Sequence, residues 1–110
     1  MFSPELKKGS IELIVLTILQ EQPRHGYDIG RLIEIRSQGR LQFRITSLYP
    51  VLYRMQNRGW IKSHWVEKEG EQRRNYYSVT PKGAKILAEQ RERWKEFTAA
   101  VNVVIGEGHA

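Results

Sequence analysis

One stretch of the chain, from Thr46 to Gly59, combines hydrogen-bonding side chains with positive charge on a helical pattern. Its apolar residues recur at the spacing of a single helix face, and they are Leu48, Val51, Leu52 and Met55. The remaining surface carries hydroxyls, a phenol, an amide and guanidiniums but no acid, from Thr46, Ser47, Pro50, Tyr53, Arg54, Asn57 and Arg58. Such a face suits the DNA major groove, which admits one helix and presents donors and acceptors on its base edges. An ordinary amphipathic surface helix shows the same pattern, so the neighbouring elements must decide.

Positive charge is concentrated in the middle of the chain. Residues 40–80 hold eight basic and three acidic residues, which accounts for +5 of the net charge of +6. A localised basic zone is the footprint of a polyanionic partner such as nucleic acid. Two other interpretations stay open. One is an acidic membrane surface, which usually goes with a lysine-rich helix and exposed aromatics. The other is a solvated basic face with no partner.

Composition restricts the remaining function classes. The 110 residues suffice for one domain with a modest core, and a hydrophobic content of 40% favours folding over disorder. The chain contains no cysteine, which excludes disulfides and thiol catalysis and is typical of the reducing cytoplasm. The longest apolar run, residues 11–19, is interrupted by Glu12 and Thr17 and is too short to span a bilayer. We therefore expect a cytoplasmic protein without a membrane partner.

The histidines and carboxylates do not form the pattern of an enzyme or a metal centre. His25, His64 and His109 are isolated from one another, and no carboxylates accompany them at ligand spacing. We expect no catalytic residue, no metal ligand and no cofactor. Because His25 stands immediately before a predicted helix, we interpret it as a cap or a packing residue.

Two helical segments precede the stretch that begins at Thr46. Ser3-Pro4-Glu5 is a helix-start signal, and Gly9-Ser10 either kinks this helix or restarts it. The mostly apolar run at residues 11–19 follows, and we expect it to form the spine of the core. Gln22-Pro23 ends that helix. An amphipathic pattern that follows His25 and runs to Arg36 predicts a second, shorter helix.

A third helix and a hairpin come next. Proline is tolerated in the first turn of a helix, where its missing N–H does no harm, so Pro50 predicts a helix cap at Thr46 or Ser47. Gly59 ends this helix. Aromatic and β-branched residues at 61–67 and 73–79, joined by a glycine-containing connection, predict a β-hairpin.

Three helices followed by a two-stranded hairpin is the order of a winged helix-turn-helix, an α+β, mostly α fold whose third helix enters the major groove. We expect the DNA-binding domain at residues 1–80, and a dimerisation helix with a short tail at residues 81–110. The predicted base-reading residues are Thr46, Ser47, Pro50, Tyr53 and Arg54. The predicted phosphate contacts are Tyr27, Arg44, Arg58, Lys68, Arg73 and Arg74. We interpret Tyr49 and Tyr77 as core or hairpin packing.

The final helix, which Thr80-Pro81 begins, predicts a dimer. Its large apolar residues form a heptad-like seam of Leu87, Trp94, Phe97, Val101 and Val104. The winged domain has its own core, so a second copy of the helix is the simplest cover for Trp94 and Phe97, giving a twofold homodimer. The alternative is that the helix folds back on residues 11–19 of its own chain. A dimer presents two reading helices to half-sites roughly 34 Å apart, which predicts an inverted-repeat target.

Three groups of residues, in this order, also form a specific pattern. They are His25-Gly26-Tyr27 with Ile29; Ser47-Leu48-Tyr49-Pro50 with Leu52, Arg54 and Gly59-Trp60-Ile61; and Arg73, Tyr76-Tyr77, Thr80 and Gly83. The pattern resembles that of the PadR family of bacterial transcriptional regulators over nearly the whole chain. The single C-terminal helix resembles that of the short subgroup. Position 60 is commonly leucine in the family, so we expect Trp60 to be a core substitution.

The resemblance implies a winged-helix homodimer that represses transcription by occupying a promoter and that releases DNA when a small molecule arrives. In short members similar to this chain, a tryptophan of the C-terminal helix lies at the dimer interface and stacks on flat aromatic ligands. This implies a small aromatic effector at Trp94, with Phe97 beside it, although packing of the dimer alone is an alternative. A function of another class also stays open, namely a winged-helix protein-interaction module that binds no specific DNA.

Overall fold

Helices make up most of the computed structural model, which describes Lys7 and residues 9–107 of the chain. The start signal at Ser3-Pro4-Glu5 and the isolated His109 lie outside the described residues. In chain order the elements are α1 (Ile11–Glu21), β1 (Arg24–His25), α2 (Gly26–Arg36), α3 (Ile45–Asn57), β2 (Ile61–Val66), β3 (Arg74–Val79) and α4 (Pro81–Ile105). The predicted α+β, mostly α class and the winged helix-turn-helix order are confirmed.

The core surrounds α1, as the apolar sequence of residues 11–19 predicts. Helices α2 and α3, the first turns of α4 and the sheet all contribute side chains to it. The four residues predicted as the buried stripe of α3 are all buried, so the helical pattern assigned the correct face to the core. The largest fully enclosed side chains are Val15, Leu16, Ile29, Leu48, Leu52, Met55, Ile61 and Leu87.

The sheet has three antiparallel strands in the order β1-β3-β2, one more than the predicted hairpin. Strands β2 and β3 form the wing, with Ile61 opposite Val79 and Val66 opposite Arg74. The short strand β1 pairs with the other edge of β3, with Arg24 opposite Tyr77. A two-residue strand is too short to show alternation in a sequence, and it fixes the start of α2 to the wing.

The start of α3 differs from the prediction. The helix begins at Ile45 with Arg44 at the cap position, so neither Thr46 nor Ser47 is the cap. Pro50 consequently lies in the second turn, where its missing N–H leaves the Thr46 carbonyl without an intrahelical donor. Because Thr46 is exposed, water can donate a hydrogen bond to that carbonyl. The loss of helix stability that an interior proline causes is therefore smaller here.

Two glycines allow α2 and α3 to approach closely. A Cβ atom at Gly26 would lie 3.0 Å from Cδ1 of Ile45, and one at Gly30 would lie 3.3 Å from Cδ1 of Leu48. Such distances are tighter than ordinary van der Waals contact, so larger residues here would push the helices apart. Gly59, at a φ of 79°, ends α3 in the left-handed conformation, as predicted.

The long final helix begins as predicted and then divides into two parts. The Thr80 hydroxyl accepts a hydrogen bond from the Gly83 N–H at 3.1 Å, and Pro81 occupies the first turn. The first turns of α4 pack against α1, and Leu87 is completely buried there. Leu87 is therefore a core residue of its own chain, and its assignment to a dimer interface is wrong. From residue 91 onwards almost every side chain is exposed, so folding back on α1 accounts only for the first part of the helix.

Candidate nucleic-acid interface

Helix α3 presents the predicted reading residues on one exposed face. Thr46, Ser47, Pro50, Tyr53 and Arg54 are all exposed, and Asn57 extends the same face toward the C-terminal end of the helix. No acidic residue occurs in α3. The face thus offers hydroxyl, phenol, amide and guanidinium groups to a partner, without a carboxylate that would repel phosphate.

Contacts on both flanks hold α3 in place. On the side of the wing, Nε2 of Gln56 donates to Oγ of Ser63 in β2 at 3.2 Å. On the opposite side, Nη1 of Arg58 lies 2.8 Å from a carboxylate oxygen of Glu12 in α1. These contacts lie beside the reading face and leave it uncovered.

Arg58 differs from the other predicted phosphate contacts because its ion pair with Glu12 is also a hydrogen bond. In addition to Glu12, its guanidinium lies over the Trp60 ring, 5.0 Å from the ring centroid. Trp60 itself is partly buried and packs against the core, as expected for a core substitution. Phosphate binding by Arg58 would therefore compete with an existing ion pair.

Aromatic rings position the cations of the wing. The guanidinium of Arg73 lies 4.6 Å from the centroid of the exposed Trp65 ring, and the Lys68 ammonium lies 5.9 Å from that of Tyr76. Arg73 is also 3.6 Å from the exposed carboxylate of Glu67. Residues 67–73 are all exposed, so these positive groups lie at the free end of the hairpin.

Tyr27 is exposed in the first turn of α2, and the His25 cap stabilises that turn. His25 caps the helix, as predicted: its Nδ1 accepts the Asp28 N–H at 3.3 Å. Burial, reinforced by the positive charge of Arg74, lowers the pKa of His25, and the nearby Asp28 carboxylate opposes that effect only in part. A neutral ring is what the cap requires, because a protonated Nδ1 cannot accept a hydrogen bond.

A network of ion pairs connects the end of α1, strand β1 and helix α2. Arg24, only 12% exposed in its side chain, bonds to Glu21 and Asp28, each at 3.2 Å. Arg31 donates to Asp28 at 2.8 Å, and Arg36 donates to Glu21 at 2.6 Å. Hydrogen bonding by Arg31 lowers the pKa of Asp28, and hydrogen bonding by Arg36 lowers that of Glu21.

A cleft of about 420 Å³ lies between α3, the start of α2 and the wing. Tyr77 packs in the core as predicted and reaches this cleft at its edge, whereas Tyr49 is 47% exposed and therefore not a core residue. The lining contains two arginines and no acidic residue. Its residues are His25, Gly26, Tyr27, Tyr49, Trp65, Gln72, Arg73, Arg74, Asn75 and Tyr77.

The described part of the chain contains neither a cluster of three potential metal ligands nor a helix long and apolar enough to cross a membrane. Residues 15–89 match the model of the transcriptional regulator PadR-like family. The chain belongs to the PadR family. PadR-family members are DNA-binding transcriptional regulators and not enzymes, so this PadR-family protein is a transcriptional regulator.

Relatives of known structure share the whole fold. A transcriptional regulator from Clostridium thermocellum is 31% identical, with a TM-score of 0.85, and the match covers 93% of this chain and 96% of that one. A PadR-like transcriptional regulator from Bacillus cereus is 26% identical, with a TM-score of 0.79 over 92% of this chain and 96% of its own. A relative in sequence alone, the transcriptional regulator YqjI of Escherichia coli K12, is 32% identical over 85 residues, which cover 77% of this chain but only 39% of YqjI.

The structure thus brings the predicted residues of α3 to one face and places Tyr27 and the wing arginines around the cleft beside it. Sequence reasoning missed the network around Arg24, although the spacing of Asp28 and Arg31 is that of a helical ion pair and could have revealed that part of it. It also missed the contact between Gln56 and Ser63 and the cleft itself. Nothing local in the sequence indicates contacts between α3 and the wing.

Proposed function

We propose that this PadR-family protein is a homodimeric repressor that reads an inverted-repeat operator with α3 and is released from it by a small aromatic ligand. The observation that carries the proposal is the exposed, acid-free face of α3, which is flanked by the basic wing. A regulator that occupies promoters works beside the chromosome, so the proposal implies a cytoplasmic protein.

The residues on the reading face of α3 would recognise the bases. Arg54 can donate two hydrogen bonds to O6 and N7 of guanine, a contact that contributes about 1–3 kcal/mol of discrimination against a wrong base. Thr46, Ser47 and Tyr53 supply hydroxyl groups on the same face, and Pro50 supplies an apolar contact surface. The helix that carries these exposed side chains is held by contacts on both flanks, so its backbone needs no ordering on binding.

Phosphate contacts surround this reading face. Arg44 precedes α3, Tyr27 begins α2, and Lys68, Arg73 and Arg74 belong to the wing or its tip. Contacts of this kind fix the register of the protein on the duplex and make binding sensitive to salt. Arg58 is expected to contribute least, because Glu12 already neutralises it.

Dimerisation is supported by the second half of α4. Trp94 and Phe97 are 43% and 62% exposed, and Val101 and Val104 continue the same side of the helix in steps of three and four residues. Leaving this apolar stripe in water costs about 25 cal/mol for each Å² of surface. A second copy of α4 would cover it and present two reading helices in twofold symmetry.

A small aromatic effector at Trp94 stays a proposal that follows from the family resemblance. The Trp94 and Phe97 rings are neighbours, with centroids 6.4 Å apart and planes tilted by 37°. A flat ligand could stack between such rings and those of the second subunit. Alternatively, Trp94 only packs the dimer interface and binds no ligand. Titration of the dimer with planar aromatic compounds distinguishes ligand binding from packing alone.

The decisive experiment is selection of genomic DNA fragments by the purified protein at near-physiological salt, followed by sequencing. We expect a short inverted repeat with half-sites about one helical turn, roughly 34 Å, apart. Repeating the selection with Arg54→Ala should lose the motif while retaining weak binding. Recovery of no common motif by the unmodified protein would contradict the proposal and favour a winged-helix protein-interaction module.

A further inference from the structure

The cleft between α3 and the wing has the chemistry of an anion site. Arg73 and Arg74 border it, the phenols of Tyr27 and Tyr49 stand at its rim, and no acidic residue lines it. The first two residues of α2 also line it, so the positive end of that helix dipole faces the same space. Cations, hydroxyl donors and a helix N-terminus all favour a negatively charged oxygen group.

Tyr77 is the buried tyrosine of the cleft lining. It is only 7% exposed and belongs to the core cluster, yet it also lines the cleft, and the phenol hydroxyl is its polar end. Burial, followed by the neighbouring Tyr49, raises the pKa of Tyr77, so the hydroxyl keeps its proton and remains a donor at neutral pH.

Asn75 provides a second polar group beside Tyr77. Its Oδ1 is buried and has no hydrogen-bond partner among the described residues. Hydrogen bonding between the Asn75 side chain and the Tyr77 phenol lowers the pKa of Tyr77 and so opposes the effect of burial in part.

The position of the cleft identifies the source of the anion. The reading face of α3 lies on one side and the cationic wing on the other, so a DNA strand that contacts both must pass over the cleft. We propose that the cleft seats one backbone phosphate of the operator in each half-site, with the Tyr77 hydroxyl and the Arg74 guanidinium as its principal donors. This inference rests on the proposed function. The bound phosphate would fix the position of the DNA strand relative to both α3 and the wing.

The test compares Tyr77→Phe with Tyr76→Phe. Both variants lose one phenol hydroxyl and keep the ring, but Tyr76 does not line the cleft and lies against His25 and His64 instead. We expect Tyr77→Phe to weaken operator binding about tenfold for each half-site, the effect of losing one hydrogen bond to a charged group, and Tyr76→Phe to change it little. Thermal unfolding of each variant checks that the fold is retained.

A phosphate scan separates direct contact from an indirect structural effect. Each phosphate of the selected operator is replaced in turn by a neutral methylphosphonate. At one phosphate per half-site, the replacement should weaken Tyr77→Phe less than it weakens the unmodified protein, because only the Arg74 contact is left to lose, whereas other replacements should weaken both proteins equally. Arg74→Gln provides a second variant for the same scan in case Tyr77→Phe does not fold.

The outcomes distinguish this inference from the proposed function. If the unmodified protein selects an operator but every methylphosphonate affects it and Tyr77→Phe equally, the phosphate seat is wrong and the operator function stands. Binding of inorganic phosphate by the DNA-free protein, lost in Tyr77→Phe and accompanied by no phosphate-specific effect in the scan, would assign the cleft to a free anion and overturn the inference. If no operator is selected, the proposed function itself fails.

Discussion

Leu87 and Trp94 lie two turns apart on the same side of α4, yet Leu87 is completely buried in the core of its own chain and Trp94 is 43% exposed. The apolar stripe therefore begins inside the domain and continues beyond it. Because α4 is one helix, the buried Leu87 fixes how the exposed part of the stripe is oriented relative to the winged domain.

The exposed seam leads to a prediction about assembly. Val101→Glu should convert a dimer into a monomer, since burying an unpaired carboxylate in an apolar interface costs several kcal/mol (on the order of 3 or more). Ala99→Glu places the same charge on the opposite, exposed side of α4 and should leave the dimer intact. Analytical ultracentrifugation of both variants provides the measurement, and equal masses for the two would contradict the assigned seam.

The His25 cap predicts that stability falls on mild acidification. Burial holds the pKa of His25 below the ordinary histidine value of about 6.5, so the unfolded chain binds more protons than the folded one below that pH. The stabilisation is complete above about pH 6.5 and is lost as the pH falls through the lowered pKa. Urea unfolding of the unmodified protein should therefore show lower stability at pH 5.5 than at pH 7.5.

Two variants isolate the contribution of the cap. Asparagine is a good cap and does not titrate, so His25→Asn should keep the stability found at pH 7.5 and lose the pH dependence in this window. His25→Ala should lose about 1 kcal/mol at pH 7.5 and less at pH 5.5, where protonation already weakens the cap of the unmodified protein. Glu21 and Asp28, whose pKa values are lowered, act below about pH 4.5 and so do not interfere. An unchanged pH slope in His25→Asn would show that another group is responsible.

Arg54 and Arg44 should differ in the kind of binding that they support. For each half-site, Arg54→Ala is expected to lower affinity for the selected operator by about 1–3 kcal/mol and to affect scrambled DNA far less, because a base contact is lost. Arg44→Ala should weaken both DNAs equally and reduce the slope of affinity against salt by about 0.9 for each subunit. Fluorescence anisotropy at several salt concentrations measures both effects. Uniform weakening by Arg54→Ala would remove its base-reading role.

The pairing of Arg58 with Glu12 predicts an asymmetry between the two partners. Both groups are partly exposed, so Arg58→Gln and Glu12→Gln should each reduce the free energy of unfolding by less than about 1 kcal/mol. Glu12→Gln releases Arg58 for phosphate and should tighten DNA binding, whereas Arg58→Gln should weaken it less than Arg44→Gln does. Weaker DNA binding by Glu12→Gln would contradict the proposed competition.

The junction between the wing and α4 depends on Gly83. A Cβ atom at this position would overlap the carbonyl oxygen of Trp60, a backbone atom that cannot move aside as a flexible side chain could. Gly83→Ala should therefore destabilise the fold by at least about 3 kcal/mol, at the upper end of overpacking effects. Gly9→Ala, where a Cβ would meet no atom within 4 Å, serves as the control. Comparable thermal unfolding of the two variants would refute this account.

The sequence by itself was sufficient for the features that depend on neighbouring residues. The periodicity of α3 identified its buried and exposed faces, because a helix places every third or fourth residue on the same side. Thr80 and Gly59 marked a helix start and a helix end through their own hydrogen bonding and backbone conformation. The localised positive charge, together with the family pattern, indicated a DNA-binding regulator before any contact was known.

Contacts between distant residues were decided only by the tertiary structure. Arg58 and Glu12 are 46 positions apart, and nothing near either residue announces their ion pair. The same holds for Leu87, whose heptad position resembles that of Trp94 although the winged domain covers only the first of the two. Strand β1 and the cleft exist because β3 passes beside the start of α2. Local pattern determines which residues face inward, whereas the path of the chain determines what they meet.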